Sequence, residues 1–319
     1  MIKPDSKIYV AGHAGMVGSA LVRELQRAGY TNVLARTRTE LDLQDQRQVF
    51  EFLRAERPEF IFIAAAKVGG IHANNHYRAE FIYQNLAIAA NLIHGAHLAD
   101  IQNLIFLGSS CVYPRDCPQP IREEYLLTGP LEFTNEPYAI AKIAGIKLCE
   151  SYRQQYGRAY GTVMPTNLYG PNDNYDLNTS HVLPALLRKA YEARLRNDPE
   201  MVVWGSGNPR REFLYVDDLA NACVMLMEQQ MRDADRPEFP SLVNIGCGED
   251  LTIRELAHTI AEVAGFSGEL RFDPSRPDGT PRKLLDIQRI TSLGWKPKTS
   301  LREGLRLTLE DYLQRAPGA

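Results

Sequence analysis

The sequence predicts an α/β fold, a Rossmann-type doubly wound parallel sheet followed by a smaller C-terminal α/β domain. Short apolar runs alternate with amphipathic stretches as far as about Pro165, the pattern of a parallel sheet with helices on both faces. A glycine-rich turn follows the first run. The 319 residues also exceed the ~150 typical of one domain.

In chain order, residues 7–11 read as a short buried strand, and Gly12 to Gly18 opens a helix reaching about Ala28. A second strand (32–35), a helix (45–56) and a third strand (60–63) follow. Residues 79–99 form a long helix, 103–107 a fourth strand and 137–156 another long helix, with Pro137 at its start. Beyond Pro165 the rhythm loosens. Residues 172–178 read as polar loop, 180–197 as helix, 201–204 as a short strand and 212–216 as another. The helix over 217–228 is expected to be capped by Asp217 or Asp218. Residues 231–240 read as a surface loop or linker. Three prolines and one glycine over 273–283 argue against any regular element there.

Composition narrows the function. Hydrophobic residues make up 44% of the chain, enough for a substantial core. With 36 Lys+Arg against 39 Asp+Glu the net charge is −3, which argues against a nucleic-acid binder working by bulk charge. The longest uncharged apolar stretch, residues 60–66, is far short of the ~18 a membrane span needs. The first seven residues lead into the strand without an apolar signal region. Five cysteines (Cys111, Cys117, Cys149, Cys223 and Cys247) lack Cys-x-x-Cys spacing, so neither a disulfide framework nor a metal site is expected. The default location is a reducing cytoplasm.

Gly12-x-x-Gly15-x-x-Gly18, after a strand and opening a helix, is the context a dinucleotide requires. Glycine permits the tight turn and close backbone approach, and the helix N-terminus supplies partial positive charge. This spacing is the short-chain dehydrogenase form. A carboxylate ending the second strand would repel a 2′-phosphate, but Ala35-Arg36-Thr37-Arg38 offers guanidinium groups instead, so NADP(H) is expected. Asp42, in Leu41-Asp42-Leu43, is placed near the adenine edge.

Tyr138 and Lys142 stand four apart on a helix and so share one face. An ammonium there lowers the phenol's pKa and can hold the nicotinamide ribose. Ser109, in Gly108-Ser109-Ser110-Cys111, lies at the carboxyl end of a strand, where ligands bind in such sheets. It is the natural partner of a substrate carbonyl beside Tyr138, whereas Ser110 suits a local backbone cap. From residue type alone, Cys111 reads as a small buried apolar group, and His181 as a cap-region or surface histidine.

The chain resembles the GDP-L-fucose synthases, epimerase–reductases of the extended short-chain dehydrogenase family, over nearly its whole length. The likeness rests on Gly12-His13-x-Gly15-Met16-Val17-Gly18, Ala64-Ala65-Ala66-Lys67-Val68-Gly69-Gly70-Ile71, Gly108-Ser109-Ser110-Cys111 and Asn135-Glu136-Pro137-Tyr138-Ala139-Ile140-Ala141-Lys142. It continues in Pro165-Thr166-Asn167-Leu168-Tyr169-Gly170-Pro171, Ser180-His181-Val182 and Pro277-Asp278-Gly279-Thr280-Pro281-Arg282-Lys283.

The resemblance implies C3 and C5 epimerisation of GDP-4-keto-6-deoxy-D-mannose, then NADPH-dependent reduction of the C4 ketone. It assigns Ser109, Tyr138 and Lys142 to the reduction, and Cys111 and His181 to the proton transfers. Cofactor contacts are implied for Gly12, His13, Gly15, Met16, Val17, Gly18, Arg36, Arg38, Asp42, Leu43, Leu107, Gly108, Ser109, Ser110, Tyr138, Lys142, Pro165, Thr166, Asn167, Leu168 and His181. Substrate contacts fall to Lys189, Trp204, Arg211 and Asp278.

Two departures stand out. Ala14 replaces an arginine that helps hold the 2′-phosphate in some relatives, leaving Arg38 and Arg36. Lys189 replaces an arginine, keeping charge but losing the bidentate fork.

Residues 1–168 with roughly 213–247 are expected to form the NADP(H) domain. Roughly 169–212 with 248–319 form the substrate-binding domain. The expected partners are the nucleotide sugar and a second copy in a homodimer, with no nucleic acid and no membrane. Competing readings are another nucleotide-sugar epimerase, a dehydratase, which would want an acidic pair after Ser109, or a non-catalytic NADP(H)-binding regulator, which loss of Tyr138 or Lys142 would mark although both are present.

Overall fold

The structure, a computed structural model, describes residues 3–177, 179–232, 240–276 and 278–315. The first half alternates strand and helix: β1 (Ile8–Ala11), α1 (Met16–Arg27), β2 (Val33–Leu34), α2 (Gln46–Glu56), β3 (Phe60–Ile63), α3 (Ile71–His76), α4 (Arg78–Leu98), β4 (Asn103–Leu107), α5 (Glu136–Tyr156) and β5 (Ala159–Pro165). There follow β6 (Asn167–Tyr169), α6 (Val182–Arg196), β7 (Glu200–Trp204), β8 (Arg210–Arg211), β9 (Phe213–Tyr215), α7 (Val216–Arg232) and β10 (Leu242–Ile245). The chain ends with β11 (Leu251–Thr252), α8 (Ile253–Ala264), β12 (Glu269–Asp273), β13 (Arg282–Lys283), α9 (Gln288–Ser292) and α10 (Leu301–Arg315).

Six strands form one parallel sheet in the order β10-β5-β4-β3-β1-β2. The order reverses between β1 and β3, and such a switch point opens a ligand crevice at the strands' carboxyl ends. Successive residues of the central strands serve opposite cores. Tyr9, Ala11, Ile61 and Ile63 pack on one face with Leu92 of α4 and Ile146 of α5. Ile8, Val10, Phe60 and Phe62 pack on the other with Leu21 of α1 and Leu219 of α7. Both faces are therefore dry, which explains why these strands are apolar at every position.

The remaining strands form small sheets, β11-β8-β13, β12-β7 and β6-β9. A third core joins Leu183 and Leu187 of α6, Val203 of β7, Ile260 of α8 and Leu305 of α10. Thr252 and Glu255 close a capping box at the start of α8, and Asp45 caps α2, each worth ~1 kcal/mol. The chain then returns to the large sheet, where Ile290 and Trp295 join the core around α1 and α7.

Several expectations are corrected. Asp217 and Asp218 do not precede α7 as caps but lie within its first turn. Asp218 instead accepts the backbone N–H groups of Lys298 and Thr299 at 3.2 and 2.8 Å. The stretch over 273–283 is not wholly irregular. Asp273 ends β12, and Arg282–Lys283 form β13 by pairing with β8. Helix α3 was not anticipated, because Gly69-Gly70 masks its start. Helix α6 begins at Val182, with His181 in the N-cap position. The linker expected over 231–240 falls largely outside the described residues, as does Asn178 of the polar loop.

Candidate active site

The site is built on the carboxyl ends of the parallel strands. Gly12, just after β1, has φ +85°, and a β-carbon there would stand 2.6 Å from the Ala65 backbone nitrogen. Only glycine satisfies both conditions. One at Gly18 would lie 2.0 Å from the Gly12 carbonyl oxygen, so glycine lets α1 pack against the turn. Gly15 caps α1 without any side-chain bond, and no acid stands in the first turn. Its amides are thus available to an anion. The Nδ1 of His13 is buried without a partner. Met16, Val17 and Leu168 pack against the adjoining core.

The two arginines after β2 separate. Arg36 pairs with Glu56 at 3.0 Å, donates to the Ala35 carbonyl and lies over the Phe52 ring. Arg38 is exposed and has no partner among the described residues. It is the one of the pair available to a 2′-phosphate. Asp42 accepts the Gln44 N–H at 3.0 Å, and the Leu43 carbonyl accepts the Asn91 amide. Thr166 and Asn167, beyond Pro165, direct their side chains to the Glu212 carbonyl at 3.3 and 2.8 Å. An uncapped helix start, a glycine cradle, an orphaned imidazole nitrogen and a free guanidinium together fit an NADP(H) molecule.

At the end of β4, Gly108 donates to the Val163 carbonyl at 2.8 Å, and a β-carbon there would strike Met164. Ser109, rather than Ser110, is the local cap. Its Oγ accepts the Cys111 N–H at 3.4 Å, and its side chain also hydrogen-bonds Tyr138. Ser110 and Cys111 are buried.

Tyr138 and Lys142 rise from α5 as the spacing requires. The Lys142 ammonium donates to the Leu107 carbonyl at 2.6 Å and lies 4.7 Å from the Phe106 ring centre and 5.8 Å from that of Tyr138. Burial lowers its pKa to about 8, with Cys111 acting in the opposite sense. Burial, and then Cys111, push the Tyr138 phenol well up, while the Ser109 bond works against them.

Around Cys111 the cleft is lined by Asn135, Glu132, Gln119, Thr280 and Lys283. The Oδ1 of Asn135 is buried without a partner. Desolvation lowers the pKa of Lys283, with Arg211 adding to the effect and Cys111 opposing it. His181 stands at the start of α6, its ring reachable by solvent yet closely surrounded by protein, and makes no capping bond. Desolvation, then the charge of Lys283, hold it below the ordinary histidine value. Lys283 thereby links Cys111, His181 and Arg211.

Further out, Lys189 of α6 and Arg276 lie 4.7 and 4.9 Å from the Trp204 ring centre, over an indole that is 57% exposed. Arg211 is desolvated, which lowers its pKa, and the charge of Asp278 opposes this. Its neighbour Arg210 turns away to Asp250 at 2.8 Å. Asp278 accepts the Ser206 N–H at 2.7 Å and its hydroxyl at 2.8 Å, ordering the loop after Trp204.

A model of the NAD dependent epimerase/dehydratase family matches residues 8–246. The chain belongs to this family. A GDP-L-fucose synthase of Escherichia coli (strain K12) is 55% identical over 310 residues, covering 97% of this chain and 97% of that one. A GDP-6-OMe-4-keto-L-xylo-heptose reductase from C. jejuni, of solved structure, is 39% identical with a TM-score of 0.90, covering 99% of each chain. A GDP-L-fucose synthetase from Naegleria fowleri, solved with NADP bound, is 27% identical with a TM-score of 0.86, covering 98% of this chain and 96% of that one. The fold read from the sequence is that of the epimerase/dehydratase family, and the likeness to the GDP-L-fucose synthases extends over essentially the whole chain.

Lys283 stands, with Arg282, as a further candidate cation at the end of the Pro/Gly-rich motif, whereas Asn135 and Glu212 carry no signal of a site role in the sequence.

Proposed function

We propose that the chain is a cytoplasmic GDP-L-fucose synthase, inverting C3 and C5 of GDP-4-keto-6-deoxy-D-mannose and then reducing its C4 ketone. The observation that carries this is Cys111 beside Ser109 and Tyr138, since a simple reductase has no use for the thiol. The α1 turn and Arg38 would hold NADPH, which when bound would supply the hydride for C4.

The remaining steps fall to side chains. C3 and C5 flank the C4 carbonyl, so loss of a proton from either places charge on the ketone oxygen. Ser109 and Tyr138 stabilise that charge by hydrogen bonding. Cys111 and His181 move the protons, one removing and the other returning from the opposite face, which inverts the carbon. The Lys283 charge favours neutral His181, the form that accepts a proton. In the reduction Tyr138 protonates the C4 oxygen, and Lys142 offsets the charge left on the phenol. Lys189, Trp204, Arg211 and Asp278 form the nucleotide side of the site.

We divide the chain into a cofactor lobe (1–168 with roughly 213–247) and a substrate lobe (169–212 with 248–319). Residues 285–295 of the second pack back on the first. The exposed Tyr83 of α4 and Ile140 of α5 support a homodimer through these helices.

Adding GDP-4-keto-6-deoxy-D-mannose to the protein with NADPH in deuterated water tests the assignment. NADPH is consumed, and NMR of the product shows deuterium at C3 and C5. A folded protein that consumes no NADPH removes the enzyme reading, and reduction without label removes the epimerase half.

A further inference from the structure

Glu212 follows Arg211 in the chain, yet it is fully buried. Its carboxylate accepts the Gly248 N–H at 2.7 Å on one oxygen and the Leu285 N–H at 3.0 Å on the other. Its own N–H donates to the Lys283 carbonyl, and its carbonyl receives Thr166 and Asn167. A β-carbon at Gly246 would come within 2.2 Å of the carboxylate, so the loop after β10 is shaped around it. A buried carboxylate is costly unless its oxygens are satisfied, and here main-chain amides from two separate segments satisfy them.

The segment fixed in this way carries Lys283. Arg282 and Lys283 pair with Arg210 and Arg211, whereas two residues later Leu285 bridges to Ile121 on the loop that follows Cys111. One short strand therefore passes from the substrate-side sheet to the loop beside the thiol. Glu212 holds it at the crossing. Arg211 and Lys283 stand in register on neighbouring strands, close enough that the charge of Arg211 opposes that of Lys283. Two repelling cations separate unless their backbones are held, and an anionic substrate gains most when they are fixed beforehand.

We propose that Glu212 is a positioning residue, its buried carboxylate locking the Lys283 segment against the Arg211 strand so that both cations face the substrate's diphosphate before it binds. The inference rests on the proposed function, because it presumes a nucleotide-diphosphate sugar as substrate. Glu212→Gln keeps the volume but replaces one acceptor with an amide that opposes a backbone N–H. The lock loosens while Ser109, Tyr138 and Lys142 stay in place.

The test uses the full-length protein with GDP as a calorimetric probe, NADPH binding by fluorescence, and steady-state kinetics. Glu212→Gln is expected to weaken GDP binding and raise the sugar KM about tenfold, with kcat falling by less than KM rises and NADPH affinity changing less than threefold. Lys283→Met alone should also weaken GDP binding, and the double variant should be no worse than the more affected single variant, since both changes remove the same contact. Wild-type affinity for GDP in Glu212→Gln, or additive losses in the double variant, overturns the inference. If Glu212→Gln does not fold, Glu212→Asp replaces it under the same criteria, its carboxylate retracted by one methylene. A wild-type protein that neither binds GDP nor turns over the sugar overturns the functional reading instead.

Discussion

At the scale of single residues, the chemistry depends on whether the buried lysine keeps its proton. Lys142 has its pKa lowered to about 8 by burial, against ~10.4 for a free lysine. Above pH 8 the folded protein loses this charge, and with it the support for a developing phenolate on Tyr138. The rate of C4 reduction should fall above about pH 8, and in Lys142→Met that alkaline limb should vanish from a profile already lowered ~10²-fold. The same depression makes the unfolded chain bind one more proton between pH 8 and 10.4, so this group's contribution to stability rises with pH across that window. Kinetics from pH 6 to 10 check the first claim, and a limb unchanged in the methionine variant assigns it to another group. Tyr138→Phe should reduce hydride transfer most sharply, while Cys111→Ser should stop deuterium entry and leave NADPH binding near normal. Tyr138 and Lys142 were legible because four residues of helix fix their relation, and Ser109 and Cys111 because they end a strand. Lys283 was legible only as a candidate cation and Glu212 not at all, since its place depends on bonds to residues 36 and 73 positions further along the chain.

At the scale of elements, the large sheet was readable because both of its faces are buried and its strands are apolar throughout. The two-residue strands β8, β11 and β13 carry no periodicity of their own and exist only through their partners. The junction of β1 and α1 shows how little freedom the readable part has. Gly18→Ala would set a β-carbon 2.0 Å from the Gly12 carbonyl, against backbone that cannot yield cheaply. Such overpacking costs about 1–3 kcal/mol and here also moves the turn that faces the cofactor. The variant should melt lower and bind NADPH at least tenfold more weakly; full NADPH affinity would show that the turn does not depend on this packing. The loop before α6 carries a different strain. Asp173 is buried, its Oδ2 has no partner, and burial raises its pKa to about 7, with Asp311 adding to the effect. The folded protein then binds a proton between pH ~4 and 7 that the unfolded chain does not, so stability falls as pH rises through this range. Asp173→Asn should match the wild type at pH 5 and exceed its melting temperature by about 2 °C at pH 8. Equal melting at both values would place the carboxyl in contact with solvent.

At the scale of the whole molecule, a net charge of −3 gives no hint of buried or half-buried cations such as Lys142, Lys189, Arg211 and Lys283. The sequence could name these cations but could not gather them, because they come from α5, α6, β8 and β13. The outer face of α4 and α5 poses the complementary problem, apolar residues left in water. Tyr83 is 68% exposed and Ile140 41% exposed, although both helices pack firmly on the sheet through Leu92, Ile146 and Cys149. The sheet is already covered on that side, so these side chains have nothing among the described residues left to bury against. A second copy related by a two-fold axis would present the same helices to them, joining four helices around one apolar seam. A carboxylate at the centre of such a seam must either drag in water or keep the copies apart. Tyr83→Glu combined with Ile140→Glu should therefore turn a dimer into a monomer in sedimentation, with Tyr138 and Lys142 still rooted on the inner face of α5 and NADPH still bound. A wild-type protein that sediments as a monomer at micromolar concentration would remove the dimer, and a double variant that remains dimeric would place the interface elsewhere.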